Sequence, residues 1–208
     1  LQNSERLREF YYTLISRLLV SEIDKDTIEA IKSDDGLLEL FVYSKEADDY
    51  LGGDTQKIVE DLASHYVDLF LIRLVPYESF FTSEDQMVNS GTENETLIFY
   101  TKYGFEVELL KARVVSGDHI GVEFEFLMNL IKSERDALAD GDDEYAKQIR
   151  SVQQEFMQKH LLPFALMFLP ALVEASKSPF YKDVAEIALE FLLTDYEELC
   201  RYEHNCSS

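Results

Sequence analysis

Punctuation is scarce in this chain. Its 208 residues include 8 Gly and 4 Pro, too few to divide it into the many short strands and tight turns of a β-fold. Between these breaks the apolar residues recur at helical spacing: Leu7, Phe10, Tyr11, Leu14, Leu18 and Leu19 mark a first helix, and Asp24 opens a second behind an acidic first turn. After a short apolar segment at residues 37–43, Gly52-Gly53-Asp54-Thr55 starts a helix through Ile58, Leu62, Tyr66, Leu69 and Phe70 to about Arg73. Pro76 ends it, and residues 76–91 read as an ordered loop rich in aromatics. Helix resumes over residues 92–103, with Leu97, Tyr100 and Tyr103 as buried positions and Gly104 as its C-terminal cap. Residues 106–117 read as a connector. Asp118 is expected to cap a long helix through Leu138 whose buried stripe is Val122, Phe126, Met128, Leu130 and Ile131. The acidic tract Asp140, Asp142, Asp143 and Glu144 ends it. A further helix over residues 145–160, a kink or restart at Pro163 and an amphipathic helix over residues 182–202 complete an all-α chain.

Apolar residues make up 46% of the sequence, with 12 Tyr and 14 Phe, enough for one sizeable core or two small ones without a disulfide or metal. Lys and Arg number 19 against 41 Asp and Glu, a formal charge of −22. Such a field repels nucleic acid and anionic lipid and attracts a basic ligand, although a charge excess also serves simply to solvate a surface. The two cysteines, Cys200 and Cys206, match no zinc or redox spacing, and His204 beside them completes no ligand set. A reducing compartment fits. Residues 1–20 contain Glu5, Arg6, Arg8, Glu9 and Arg17, so they read as neither signal peptide nor membrane span, and a cytoplasmic location is expected.

Little here looks catalytic. The four histidines, His65, His119, His160 and His204, stand at no metal-ligand spacing, and no phosphate-cradling glycine motif occurs. The densest constellation is Asp118-His119-Ile120-Gly121-Val122-Glu123, which reads either as an acid/base pair or, more simply, as a helix start whose positive end favours a carboxylate. Pro76-Tyr77-Glu78-Ser79, followed by Phe80 and Phe81, offers either a recognition surface or aromatic plugs beneath a loop. His160-Leu161-Leu162-Pro163-Phe164 holds a lone histidine of the kind that is more often structural.

In this order, several strings resemble the TorD/NarJ-type family of molybdoenzyme chaperones, the redox enzyme maturation proteins that include DmsD-like members. They are Tyr66-Val67-Asp68-Leu69-Phe70, Pro76-Tyr77-Glu78-Ser79 with Ser83-Glu84, Tyr103-Gly104-Phe105, Asp118-His119-Ile120-Gly121-Val122-Glu123 with Phe126-Leu127-Met128, and His160-Leu161-Leu162-Pro163. The similarity spans nearly the whole chain. Some members have Trp in the Pro76 loop and after the later His-Leu-x-Pro string, where this chain has Tyr77 and Phe164.

The resemblance implies an all-α chaperone fold with a larger N-terminal part, residues 1–108, and a C-terminal part, residues 118–208, joined by a hinge at residues 109–117. It also implies a non-enzymatic role without a cofactor of its own. The chain would bind a twin-arginine leader, or a similar N-terminal segment, on the catalytic subunit of a molybdopterin oxidoreductase, and would assist cofactor loading and export proofreading. The peptide-binding residues carried over are Leu69, Phe70, Pro76, Tyr77, Glu78, Ser79, Asp118, His119 and Glu123. Two other readings stand beside it: an acidic helical adaptor for some other basic protein, and a small acid/base enzyme centred on Asp118 and His119. A monomer or an exchanged dimer is expected, with no nucleic acid and no stable membrane insertion.

Overall fold

A computed structural model describes residues 2–206, with side chains for residues 4–201; the side chains of His204 and Cys206 lie outside the described residues. The helices follow in order: α1 (Gln2–Val20), α2 (Lys25–Ser33), α3 (Asp35–Leu40), α4 (Val42–Glu46), α5 (Thr55–Tyr66), α6 (Glu78–Thr82), α7 (Glu95–Lys102), α8 (Leu109–Ala112), α9 (Ile120–Asp140), α10 (Asp143–Phe156), α11 (Leu162–Ala175) and α12 (Pro179–Cys206). A widened π-type turn extends α5 over Val67–Arg73, and another joins α10 to α11 over Met157–Leu161. Among the described residues there is no strand, only an isolated antiparallel bridge between Tyr77 and His119. The all-α expectation holds.

Local chemistry explains the helix boundaries. Asp24, Asp34, Asp54 and Asp142 each accept a bond from the amide three residues onward, at the starts of α2, α3, α5 and α10. Part of the acidic excess is therefore used to satisfy otherwise unpaired helix amides. Asn94 does the same for Thr96 and Leu97 at the start of α7, and Gly141, at φ +78°, closes α9 in the left-handed conformation that glycine adopts without strain. Pro163 follows directly on the widened turn Met157–Leu161, and the helical path continues through it into α11 instead of restarting.

The chain divides into two units. Unit one comprises Leu1–Val20, Tyr77–Ala165 and Glu190–Ser208; unit two comprises Ser21–Pro76 and Leu166–Leu189. The expected hinge, residues 109–117, lies within unit one and contains α8.

In unit one, α1 packs along α9, and α9 packs on α10. The approach is closest where α1 ends: a Cβ added at Gly121 would lie 2.8 Å from the Cα of Val20. Phe99, Tyr100, Phe105, Phe126 and Phe156 form an aromatic core with ring centroids 4.7 to 6.0 Å apart. The buried face of α1 is not simply its apolar one. Tyr12, Ile15, Leu18 and Leu19 are buried, but so are Glu5 and Arg8, while Leu7 is 57% exposed and Phe10 is also exposed. Arg8 is drawn inward by Asp195, with its Nε 2.5 Å from Oδ1 and its Nη2 3.0 Å from Oδ2, and it also bonds Glu134 and Gln153. Tyr12 donates to the same Asp195 at 2.8 Å.

Unit two has its own core. Phe70 stacks on Tyr66 at 4.7 Å and meets Tyr181 edge-on at 5.6 Å, while Phe41 stacks on Phe180. The carboxylate of Asp183 receives the amides of Tyr43 and Ser44 at the start of α4. The continuous helical stretch Asp143–Ala175 is long and apolar enough to cross a membrane by length and composition alone, and 56% of its apolar window is buried within the fold.

Candidate functional site

Six of the nine residues singled out from the sequence, Tyr77, Glu78, Ser79, Asp118, His119 and Glu123, belong to unit one, and the backbone brings two distant strings together there. The amide of Glu78 donates to the carbonyl of Asp118 at 2.9 Å, and the amide of Ser79 donates to the Asp118 carboxylate at 2.8 Å. Asp118 therefore caps α6, thirty-nine residues earlier in the chain, and not α9 as expected. The cap of α9 is His119, whose Nδ1 accepts the Gly121 amide at 3.1 Å while its carbonyl receives the first amides of the helix. The shift is a single residue, but it frees the Asp118 carboxylate for a long-range contact.

Behind this junction lies a polar cluster inside the aromatic core. Glu78, 5% exposed, accepts a short hydrogen bond from the Thr96 hydroxyl. The Nδ1 of His160 stands 3.2 Å from Glu78 Oε1 and 3.2 Å from the Thr96 oxygen, with its ring between Phe99 and Phe156. Among the described residues, Asp118 Oδ1 and the Tyr100 hydroxyl are buried with no hydrogen-bond partner, and the Glu123 carboxyl, beside Glu78, makes no well-formed hydrogen bond. Burial, followed by the negative charges of Glu78 and Asp118, pushes the Glu123 carboxyl well above the usual carboxylate range. Tyr100 is raised likewise, by burial first and then by Glu123 and Glu78. A neutral Glu123 can donate as well as accept, which lowers the cost of holding three carboxyl groups in one core.

His119 is neutral too, since burial lowers its pKa to about 3. A neutral ring with Nδ1 accepting from Gly121 carries its proton on Nε2. Tyr77 lies edge-on to it at 5.2 Å, and the Tyr77 hydroxyl accepts the Val115 amide at 3.2 Å. No hydrogen bond or ion pair between the side chains of Asp118 and His119 occurs among the described residues, and both are buried. As it stands the pair offers a substrate neither an open approach nor a shared proton. Among the described residues no group of His, Cys, Asp and Glu is arranged to hold a metal.

The cluster reaches solvent through Glu78. A polar cleft of about 290 Å³ is walled by Glu78, Ser79, Glu93, Asn94, Glu95 and Lys159, among others. Three carboxylates face one ammonium there, and that ammonium already pairs with Glu155 at 2.6 Å.

The other three residues carried over from the sequence, Leu69, Phe70 and Pro76, belong to unit two. Leu69 is 1% and Phe70 3% exposed, and the Tyr66 and Tyr181 rings cover Phe70. Both serve as core. Phe80 and Phe81 pack edge to face at 5.3 Å, and Phe81 also meets Phe164; each is half-buried, between the two expected roles. Thr96 and Tyr100, which complete the cluster, were not expected there. Their helix was legible, but its facing partners arrive from segments that only folding brings near.

Residues 43–169 match the family described as nitrate reductase delta subunit. This span includes the whole polar cluster and the cleft that opens from it. No curated protein and no solved structure matches the chain.

Proposed function

Because the chain belongs to the nitrate reductase delta subunit family, whose members are molybdoenzyme assembly chaperones, we propose that it holds the catalytic subunit of a molybdopterin oxidoreductase by a basic N-terminal segment, such as a twin-arginine leader. It does so in the cytoplasm, during cofactor insertion and before export. The observation that carries this reading is the carboxylate-walled cleft at Glu78 in a chain of charge −22.

An arginine fits the chemistry of the cleft. Its planar fork makes paired bonds to carboxylates, and Glu93 and Glu95 at the mouth with Glu78 below provide three acceptors. Ser79 lines the same cleft and is the second contact residue. In this reading Tyr77, Asp118, His119 and Glu123 are positioning residues. Asp118 holds the start of α6, His119 the start of α9, and Glu123 supplies a neutral floor behind Glu78. Leu69, Phe70 and Pro76 contribute as the core of unit two.

Calorimetric titration with a synthetic twin-arginine leader, beside the same peptide with both arginines replaced by glutamine, tests the proposal. Saturable binding that weakens with the glutamine peptide, and with salt as charges are screened over about 8 Å, is the expected result. Equal binding of both peptides, or no binding of either, overturns it. The net charge alone also suits an acidic adaptor for another basic protein. Capture of the bound protein from cells, with no molybdoenzyme subunit recovered, would favour that alternative.

A further inference from the structure

A leader that offers arginines also offers apolar side chains, and the residues expected to receive them, Leu69 and Phe70, are closed into the core of unit two. Unit one has an open apolar cleft of its own. It measures about 500 Å³ and is lined by Leu97, Ile98, Thr101 and Lys102 on α7 and by residues 90–92 of the preceding loop. Ile98 is 54% exposed.

The two clefts draw on one segment of chain. Asn89, Glu93, Asn94, Glu95 and Thr96 line the acidic one, and the intervening residues 90–92 with Leu97 and Ile98 line the apolar one. Loop 89–94 and the first turn of α7 thus contribute residues to both clefts. That segment is held in place before any ligand arrives. The Asn89 amide bonds the Ser79 hydroxyl at 2.9 Å, the Asn94 side chain bonds the Asn89 carbonyl at 2.7 Å, and Ser116 bonds the same carbonyl at 3.1 Å. A preformed wall spares a ligand the entropy of ordering it.

Charge gives the arrangement a direction. Carboxylates surround the first cleft, while Lys102 stands at the far rim of the second, over the Tyr103 ring at 4.9 Å. A basic side chain is drawn to the Glu78 end and repelled from the Lys102 end.

We propose that α7 and the loop before it form a two-site clamp for one extended peptide, with a basic side chain in the Glu78 cleft and an apolar side chain a few residues away against Leu97 and Ile98. This rests on the function proposed above and assigns the apolar half of recognition to unit one. Apolar contact supplies affinity, and the acidic cleft fixes register.

The test is calorimetric titration of wild type and Ile98→Glu with three synthetic peptides: the leader, the leader with arginines changed to glutamine, and the leader with its apolar residues changed to serine. Burial of one large apolar side chain is worth roughly ten- to a hundredfold in affinity. Ile98→Glu is expected to weaken the unmodified leader by that much and not to weaken the serine peptide, which keeps its arginines. The added carboxylate strengthens any attraction for arginine, so a loss reports the apolar arm alone. Ile98→Ser removes the same apolar area without adding charge and serves if the glutamate variant fails to fold. If wild type binds the leader and both variants bind it equally well, the clamp is wrong and the chaperone reading stands. If wild type does not bind the leader at all, both fall.

Discussion

Glu123 and His119 stand four residues apart at the start of α9, both buried and both shifted toward the neutral form, yet they tie stability to pH in opposite directions. The folded pKa of His119 is depressed to about 3, so the unfolded chain binds the extra proton between about pH 6.5 and pH 3. Its contribution is complete above pH 6.5 and is lost on acidification, by at most about 1.4 kcal/mol per pH unit. Glu123 is raised, so folding is penalised as pH climbs above the ordinary carboxylate range. His119→Asn, which keeps a capping side chain, is expected to flatten the acid limb of a urea-denaturation series across pH 4–9. Glu123→Gln is expected to raise stability at pH 8 by about 1–2 kcal/mol, and a glutamine variant less stable than wild type at that pH would show that Glu123 is charged in the fold. Asp118→Ala should cost about 1–3 kcal/mol by stranding the Ser79 amide, whereas Asp118→Asn, which retains an acceptor, should cost less. The Asp118-His119 string was visible in the sequence as a helix start. Which of its two side chains caps that helix was not, because the choice depended on α6 needing an acceptor.

The helices were largely legible, and the faces they bury were less so. On α1 a spacing of three and four also fits the polar set Glu5, Arg8 and Tyr12, and the fold buries that face at its N-terminal end because Asp195 and Glu134 await Arg8. Removing Arg8 takes the ion pair from the buried Asp195, which keeps only the Tyr12 hydroxyl, while Glu134 retains Arg150 and Gln153. Arg8→Ala should therefore cost about 3–5 kcal/mol, while Leu7→Ala on the same helix should change stability by under about 0.5 kcal/mol; paired thermal and chemical denaturation would resolve the difference. Gly121 offers a second contrast. Helix propensity favours Gly121→Ala, but the added carbon would meet the Val20 backbone at 2.8 Å. A net loss of about 1–3 kcal/mol is expected from the displacement of α1 against α9. A stabilised alanine variant would mean that the two helices are free to move apart.

Across the whole molecule, neither unit is a continuous stretch of chain. Unit one takes its helices from the beginning, the middle and the end of the sequence, and the partners of Arg8 lie 126 and 187 residues away. A cut between residues 108 and 118 parts α1 from α9 and Arg8 from both carboxylates. Fragments 1–108 and 118–208 expressed separately are accordingly expected to lack a cooperative thermal transition, and mixing them should restore helical circular dichroism. A fragment that unfolds cooperatively alone would favour an N-terminal and C-terminal division joined at residues 109–117.

The sequence by itself determined the all-helical class, most helix boundaries, the acidic character and the ordered strings that mark the family, because these depend on residues within a few positions of one another. Helical period, caps and proline breaks are local, and composition needs no geometry at all. Tertiary structure alone decided that Leu69 and Phe70 are core, that Asp118 holds α6, and that Thr96, Tyr100 and His160 gather around Glu78. Those outcomes depend on which buried polar atom finds a partner from a distant segment, and a sequence read along one dimension does not contain that choice.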